Sequence, residues 1–344
     1  MKITKFLVEP FSVPFSKPFK NSKNIYTRRE GIWIKIFSNN YFGVGEAAPL
    51  EGFNLETLKE VHYVIEGFKQ SIEGAELDKE ELFSLIEVHA FQTPSVRFAL
   101  ETAINDILSK EKNLSVAKYL NLNSQSNLPV NGLAGIHLPA EGFKVIKVKV
   151  GFRNLFDEIE NMQLLTELFG DNVLFRLDCN EVYDLSQSIR FCKEMEAFNI
   201  DYIEQPMPAL ELEDLAELRY HTKIPIALDE SLSDFNSAEQ IIEAQAADVL
   251  VLKPMVAGGF LISSKILSLA RNEGLRTIIT STLETAIGRM SCLHLALANE
   301  IAEVCGLATG DLLKESSPDL INNGLMTILS RSGLGLDINN KFIN

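Results

Sequence analysis

Three acidic residues, Asp178, Glu204 and Asp229, each stand at the end of a short apolar run of the chain. They lie about 25 residues apart, which is the length of one strand–helix repeat in a parallel fold. Because the strands of a βα barrel present their carboxyl ends at one face, the spacing predicts that the three carboxylates converge. A single acid at a strand end is equally well explained as the N-cap of the next helix. Three acids at the same spacing instead indicate a site for a hard metal ion. All-oxygen ligands favour Mg²⁺, and we expect Mn²⁺ to substitute for it.

Three lysines also belong to predicted barrel strands. Lys147 and Lys149 belong to one predicted strand, and because side chains alternate along a strand they share a face. Two lysines inside a barrel are costly unless they serve a site. A register shifted by one residue would instead turn both outwards, towards the helices. Lys253 ends the sixth predicted strand, which lies across the barrel from the second, so we expect Lys149 and Lys253 to flank a substrate held by the metal.

This arrangement suits the removal of a proton next to a carboxylate. A lysine beside Mg²⁺ and a second lysine has a lowered pKa and acts as a neutral base, while the metal stabilises the enediolate that forms. Lys147, Asn180 and Glu230 stand close to these groups in the sequence and are predicted to support them. The predicted partner is a small-molecule carboxylate substrate.

A hydroxyl-rich stretch at the end of the seventh predicted strand offers an anion site. Its hydroxyls and the amides that open the next helix suit a substrate carboxylate. The spacing from Ser281 to Glu284 also fits a helix capping box, and the two interpretations are compatible. Near the N-terminus, the loop around Gly52 and Phe53 is expected to cover the pocket and to tune specificity. The predicted substrate contacts are Gly52, Phe53, Ser281, Thr282, Glu284 and Gly288.

The elements that must position these residues follow two patterns. In residues 1–125, β-type runs precede helical periodicity, which predicts an α+β capping domain. In residues 126–311, strands alternate with amphipathic helices, which predicts an α/β barrel of the TIM type. The tail, 312–344, is expected to complete the capping domain. The predicted barrel strands are 129–134, 144–150, 173–178, 201–204, 224–229, 248–253, 276–282 and 303–307.

Composition narrows the function classes. The 344 residues carry a net charge of −15, which argues against nucleic acid and anionic membranes as partners. Four cysteines without paired spacing, in a chain with 46% hydrophobic residues, predict reduced thiols and a cytoplasmic setting. No apolar signal core and no transmembrane run stands in the sequence. A homo-oligomer remains open, and of the five histidines only His137 is placed where it reaches the barrel mouth.

The motif set resembles the muconate-lactonizing branch of the enolase superfamily, and the resemblance covers nearly the whole chain. The matching motifs are Lys147-Val-Lys149, Asp178-Cys-Asn180, Glu204-Gln-Pro206, Asp229-Glu-Ser231 and Lys253-Pro-Met-Val-Ala-Gly-Gly259. The resemblance implies a modified (β/α)₇β barrel behind an α+β capping domain. It also implies that the three acids bind Mg²⁺ and that Lys149 and Lys253 flank the substrate.

Within this branch, the stretches 45–53, 94–98 and 281–288 are most similar to o-succinylbenzoate synthases. That resemblance implies dehydration of a succinylated hydroxycyclohexadiene carboxylate in menaquinone biosynthesis. The alternative is an N-acylamino acid racemase or a dipeptide epimerase, in which both lysines act as acid or base. Epimerases of the branch resemble one another in an Asp-x-Asp element after strand eight, which the stretch 305–311 lacks. A non-catalytic binding protein is a third interpretation, and the intact set of acids and lysines argues against it.

Overall fold

The computed structural model describes residues 1–20, 25–136, 142–170, 172–314 and 321–337. The prediction for His137, and that for part of the tail, lies outside the described residues. An antiparallel sheet with helices comes first along the chain, and a parallel sheet with alternating helices follows.

The first three strands form an antiparallel sheet in the order β1, β2, β3. Their bounds are Ile3–Lys20 for β1, Ile25–Ser38 for β2 and Tyr41–Ala47 for β3. The first two strands are long, with 18 and 14 residues, although β1 contains Pro10, Pro14 and Pro18. Proline lacks the N–H group that a central strand needs, but β1 is an edge strand, where one side needs no partner. The hairpin therefore extends to the paired residues Phe19 and Tyr26.

Four helices follow this sheet: α1 Leu58–Ile72, α2 Lys79–His89, α3 Pro94–Glu111 and α4 Val116–Leu120. Thr57 and Asp78 begin the first two helices with capping boxes, which satisfy backbone N–H groups that otherwise lack partners. The helix α3 lies close against β3, so that a Cβ atom on Gly45 would lie 2.0 Å from the carbonyl oxygen of Ala99. Only glycine permits that approach, and Gly45 therefore sets the distance between the sheet and α3.

Seven parallel strands form the barrel sheet in sequence order. They are β5 Gly132–Leu133, β6 Val145–Lys149, β7 Leu174–Asp178, β8 Ile200–Glu204, β9 Ile226–Leu228, β10 Val249–Leu252 and β11 Arg276–Ile279. The predicted eighth strand is present as two single parallel bridges, Cys305 with Val130 and Gly306 with Thr280. These bridges join both edges of the sheet and close the ring, so the capped α/β barrel predicted from the sequence is confirmed.

The helices that alternate with these strands are α5 Leu155–Phe169, α6 Leu185–Met195, α7 Leu212–His221, α8 Phe235–Glu243, α9 Pro254–Ala257, α10 Gly259–Asn272 and α11 Ala286–Ala298. The longer ones pack an apolar stripe on the barrel, as Phe191, Cys192 and Met195 of α6 do. Asp184 and Asp234 begin α6 and α8 with capping boxes. The short loops that precede these caps carry the site residues.

The tail contacts both parts of the chain. Its strands β12 Ile321–Asn322 and β13 Leu325–Thr327 form a sheet with β4, Asn127–Pro129. Single bridges also join Leu313 to Phe15 and Gly333 to Ser115. The tail therefore lies against elements of the predicted capping domain and against the segment that leads into the barrel. The domain boundaries at 125/126 and 311/312 stay predictions.

All four cysteines are buried and free, as expected for reduced thiols. Burial raises the pKa of the Cys179 thiol well above its ordinary value, which makes that sulfur unreactive. In the part of the chain that the structure describes, no helix combines the length and the apolar character needed to cross a membrane.

Candidate active site

The parallel register brings the predicted acids together at the carboxyl ends of β7, β8 and β9. Asp178 pairs with Lys149 of β6 on one side and with Glu204 of β8 on the other. Asp229 directly follows β9, in which Ala227 is the partner of Glu204. All three carboxylates are buried. Burying like charges together is costly, so cations must accompany them.

Lys147 supplies one of these cations. Its Nζ lies 2.9 Å from Asp178 Oδ2 and 2.8 Å from Glu204 Oε1. These contacts require that β6 turns Lys147 into the barrel, so the inward register is confirmed and the outward alternative is wrong. Burial acts to lower the pKa of Lys147, but the neighbouring carboxylates outweigh it and raise that pKa well above its ordinary value. Lys147 therefore stays charged among the acids.

Lys149, two residues further along β6, has different surroundings. Its Nζ donates to Asn180 Oδ1 at 3.0 Å and lies 5.1 Å from the centroid of the Phe19 ring. Asn180 Nδ2 in turn donates to Glu230 Oε1 at 3.0 Å. Burial lowers the pKa of Lys149, which favours the neutral amine that a general base needs. Lys149, Asn180 and Glu230 thus form one hydrogen-bonded row.

Lys253, which follows β10, has a pKa that is shifted in the opposite direction. Its ammonium donates to Asp229 Oδ1, and its Nζ lies 4.5 Å from the centroid of the Phe53 ring. Burial acts to lower the pKa of Lys253, but Asp229 and Glu230 outweigh it and raise that pKa. The surroundings therefore favour the neutral form of Lys149 and the charged form of Lys253.

The acid set fits a divalent cation. Glu204 Oε2 has no hydrogen-bond partner within the described structure, and burial raises the pKa of Glu204 to about 8. A nearby cation stabilises such a buried carboxylate, and oxygen ligands suit Mg²⁺. Among the described residues, no three His, Cys, Asp or Glu side chains already enclose an ion position, and lysines neutralise the carboxylates there. Asp178, Glu204 and Asp229 are the residues that would hold the ion.

A cavity of about 100 Å³ lies next to these groups. Lys149 and Lys253 both line it, and among its described lining residues the carboxylates are Asp178 and Asp229 alone. A larger surface groove of about 1380 Å³ runs past Phe91 and shares Phe53 with the smaller cavity, but the described residues that line it include none of the predicted catalytic lysines or metal-binding acids. The apolar residues of the smaller cavity are Phe19, Leu50, Phe53, Leu133, Leu283, Ala308 and Leu312. The smaller cavity therefore combines charged groups with a broad apolar wall.

The predicted substrate contacts divide into those that line the cavity and those that lie behind it. Phe53, Ser281 and Thr282 line the cavity, whereas Gly52 and Glu284 do not. Glu284 Oε2 instead accepts the Thr282 N–H at 2.8 Å and the Ser281 hydroxyl at 2.5 Å. The Thr282 hydroxyl has no hydrogen-bond partner within the described structure.

The amides that open α11 bind a carboxylate of the protein itself. The N-cap of α11 is Thr285, so the capping box predicted to begin at Ser281 is wrong. Glu46 of β3 accepts the N–H groups of Thr285 at 2.9 Å and of Gly288 at 3.0 Å. The predicted anion site at this helix is therefore occupied by Glu46, and Gly288 lies behind the cavity wall.

Sequence reasoning missed several residues that shape the site. Phe19 and Leu283 line the cavity; Phe19 stands outside every motif, and Leu283 lies among polar residues that drew the predictions in its place. Gln205 lies behind the acids, where its Oε1 accepts the N–H groups of Asp229 at 3.0 Å and Ser231 at 3.2 Å. The sequence feature that could have identified Gln205 is its position directly after an acid at a strand end, where a buried amide can hold the next loop.

Comparison with protein families matches two parts of the chain. Residues 135–342 match the family described as Enolase C-terminal domain-like. Residues 8–107 match the family described as MenC, N-terminal domain. Together these matches cover both the capping sheet and the barrel.

The curated relatives catalyse different reactions. An L-amino acid-D/L-Glu epimerase from Francisella philomiragia is 27% identical, over 87% of this chain and 88% of its own length. An N-succinyl-L-Arg/Lys racemase from Bacillus cereus is 24% identical, over 98% and 96%. An o-succinylbenzoate synthase from Bacillus subtilis is 24% identical, over 98% and 95%. Because these sequence identities are nearly equal, they do not show which of the three reactions this chain catalyses.

Solved structures share the fold. The L-Ala-D/L-Glu epimerase from Bacillus subtilis superposes with a TM-score of 0.89 at 23% identity, covering 97% of this chain and 98% of that one. A dipeptide epimerase from Enterococcus faecalis, in complex with Mg and a dipeptide, gives 0.88 at 23% identity, covering 97% and 99%. Since the C-terminal family match spans more than half of the sequence, the chain belongs to the enolase superfamily.

Proposed function

We propose that this protein is a Mg²⁺-dependent o-succinylbenzoate synthase, which dehydrates 2-succinyl-6-hydroxy-2,4-cyclohexadiene-1-carboxylate in menaquinone biosynthesis. The observation that carries the proposal is the composition of the cavity. Three lysines, Lys147, Lys149 and Lys253, and two acids of the metal set adjoin an apolar wall, and the described lining offers no further carboxylate to pair with a substrate ammonium. The proposed substrate has carboxylates and an apolar ring but no ammonium. Its ring suits a wall that includes Phe19 and Phe53.

Lys149 carries the proton transfers in this proposal. Its neutral amine removes the proton α to the ring carboxylate, and the ammonium so formed returns that proton to the departing hydroxyl. One water leaves, and the ring becomes aromatic. Because a single group serves both steps, the proton and the hydroxyl leave from the same face. Asn180 orients the amine through the 3.0 Å hydrogen bond, and the lowered pKa of Lys149 supports its role as base.

The other charged groups stabilise the negative charge that develops on the substrate. Lys253 stays protonated beside Asp229 and acts on the ring through a cation–π contact. Mg²⁺, when bound, supplies electrostatic stabilisation of the enediolate. Asp178, Glu204 and Asp229 hold the ion, and Lys147 balances the charge of the first two.

The comparisons support this proposal at the level of the family. The capping region matches MenC, N-terminal domain, and the relatives include an o-succinylbenzoate synthase that aligns with 98% of this chain. The Enterococcus faecalis epimerase with bound Mg supports a divalent ion at the acid set. These likenesses agree with a lyase built on the residues described above.

An N-acylamino acid racemase is the second candidate. N-succinyl amino acids also lack a free α-ammonium, and a relative from Bacillus cereus is named an N-succinyl-L-Arg/Lys racemase. A dipeptide epimerase is less favoured, because a dipeptide ammonium needs an anionic partner when it is buried. The segment beyond the closing bridges instead contributes Ala308, Thr309 and Leu312 to the cavity.

The proposal is tested by incubating purified protein with Mg²⁺ and the cyclohexadiene substrate and following the loss of substrate absorbance. We expect turnover that a chelator abolishes and that added Mg²⁺ or Mn²⁺ restores. Rapid exchange of the α-proton of N-succinyl amino acids in D₂O, without dehydration, would favour the racemase. Absence of both reactions together with absence of Mg²⁺ binding would indicate a non-catalytic binding protein.

A further inference from the structure

A buried carboxylate of the capping sheet holds the start of a barrel helix. Glu46 lies at the end of β3 and is fully buried. Its oxygens accept the Thr285 N–H at 2.9 Å, the Thr285 hydroxyl at 2.6 Å and the Gly288 N–H at 3.0 Å. A carboxylate at this position satisfies amides that lack partners within the helix. The stretch 281–285, which leads into this helix and lines the cavity with its first three residues, is thereby attached to the capping domain.

A buried guanidinium makes a second attachment at the same loop. Arg29 of β2 donates from Nε to the Leu283 carbonyl at 3.0 Å and from Nη1 to the Pro49 carbonyl at 3.1 Å. A further bond from Nη2 reaches the Ala48 carbonyl. The same side chain therefore joins the barrel loop to the capping loop, whose next residue, Leu50, lines the cavity.

The barrel loop needs such support because its backbone is strained. Leu283 has a φ of +62°, a left-handed conformation that residues with side chains seldom adopt. Its N–H donates to Ser281 Oγ at 2.9 Å, and its carbonyl accepts from Arg29. This conformation directs the Leu283 side chain into the cavity wall. Without Arg29, a more relaxed backbone would move that part of the wall.

We propose that Arg29 and Glu46 are positioning residues that hold the loop 281–285 in the conformation that forms the substrate pocket. The proposal rests on the proposed function in one respect, because it assumes that the cavity is the substrate site. Neither residue contacts the three acids, so both act on substrate binding and leave metal binding unchanged. The capping domain thus supplies the polar contacts that shape a wall of the barrel site.

The chain contains a reporter for this attachment. Trp33 is its single tryptophan, and the indole Nε1–H donates to Thr285 Oγ1 at 3.2 Å. The indole also stacks on Phe11, with 4.4 Å between ring centroids. Its fluorescence therefore reports on the loop and the capping sheet at once, in the free protein and without any substrate.

The test compares two substitutions with matched controls. Arg29→Lys keeps the charge, but one ammonium cannot replace a planar guanidinium that bonds several carbonyls; its control is Arg28→Lys, at an exposed position on the same strand. Thr285→Val removes the hydroxyl and keeps the shape, and Thr285→Ser keeps the hydroxyl. The Thr285 pair is mild enough to remain informative if Arg29→Lys fails to fold.

We expect Arg29→Lys and Thr285→Val to weaken binding of o-succinylbenzoate about tenfold, the effect of losing a hydrogen bond to a charged group. Their KM should rise more than their kcat falls, and their Mg²⁺ affinity should stay within about twofold of wild type. Trp33 emission should shift in Arg29→Lys, which leaves the indole and its acceptor Thr285 in place, and the amides of Thr285 and Gly288 should exchange with D₂O faster in both variants. Both control variants should behave like wild type.

Folded variants that bind o-succinylbenzoate like wild type, with unchanged emission and amide exchange, would overturn the proposal. Weakened binding of Mg²⁺ and product in parallel would also overturn it, because that pattern indicates general loosening of the barrel. If wild type itself does not bind o-succinylbenzoate, the proposed function fails. The positioning role is then judged by Trp33 emission and amide exchange alone, which require no substrate.

Discussion

Replacement of Lys149 tests the assigned base. In the proposed reaction Lys149 both removes and returns a proton, and its lowered pKa results from burial in the cavity. General acid–base catalysis contributes about 10²- to 10⁴-fold, which is about 3 to 5 kcal/mol of activation free energy. Because one residue serves both steps, we expect Lys149→Ala to lose about 10⁴-fold in kcat.

The same substitution should leave the fold nearly unchanged. It removes the hydrogen bond to Asn180 and the contact with the Phe19 ring, but it also relieves the burial of an amine. These effects oppose each other, so the free energy of unfolding should change by no more than about 1 kcal/mol. Lys144→Ala, at the exposed position just before β6, is the matched control.

The assay is steady-state dehydration at saturating Mg²⁺, with urea titration of each variant to measure the free energy of unfolding. Wild-type kcat should also rise with pH and level off below the ordinary lysine pKa of 10.5, because the neutral amine is the active form. A folded Lys149→Ala protein that keeps more than about a tenth of wild-type kcat would refute the assignment of the base.

Three further predictions concern the metal, the pH dependence of stability and the helix start. Asp229→Asn should weaken Mg²⁺ binding about tenfold or more, by analogy with losses at metal-supporting groups; an unchanged calorimetric titration would remove Asp229 from the ligand set. Burial raises the pKa of Glu101 to about 7 from 4.5, so its contribution to stability is present below pH 4.5 and is lost as pH rises through 7. Glu101→Gln should therefore flatten the fall of unfolding free energy between about pH 5 and pH 8, and equal pH slopes in urea titrations would contradict the buried carboxyl. Gly288→Ala should lower the Tm, because a Cβ atom there would lie 2.4 Å from Glu284 Cβ and 3.3 Å from Glu46 Oε2; an unchanged Tm would show that the loop yields easily.

The barrel and its charged groups were predictable because a repeat in the sequence becomes a repeat in space. Parallel strands in sequence order bring Asp178 and Glu204 into register, and the alternation of side chains turns Lys147 and Lys149 to the same face. The alternation of side chains along each strand and the order of the strands in the sheet therefore place these groups at the same site. For this reason the sequence alone predicts which acids and lysines meet at one end of the barrel.

The loop after β11 was not predictable in the same way. Its polar groups are satisfied by Glu46, which is 239 residues away in the chain, and by Arg29, which is 254 residues away. No local spacing records such contacts, since they depend on how closely the capping sheet approaches the barrel. A capping box and an anion site were reasonable for this stretch in isolation, but a buried side chain from the other domain already occupies the helix start.

Strand lengths are also hard to predict where the position of a strand in its sheet decides whether proline interrupts it. Proline interrupts a central strand, but β1 continues past Pro10, Pro14 and Pro18 because it lies at the sheet edge. The strand predicted at 303–307 is shorter than expected, because two single bridges replace a full strand there. A short closing segment suffices there, because the neighbouring strands are already fixed by the rest of the ring.

The most direct test of the proposed function is a paired measurement in D₂O on one batch of protein with Mg²⁺. Dehydration of the cyclohexadiene substrate and α-proton exchange of N-succinyl amino acids and dipeptides would be compared as kcat/KM. We predict that dehydration is the faster reaction by a wide margin, that chelation abolishes it and that Lys149→Ala does not support it. Rapid exchange with slow or absent dehydration would contradict the synthase and would make this protein a racemase or epimerase that uses the same two lysines.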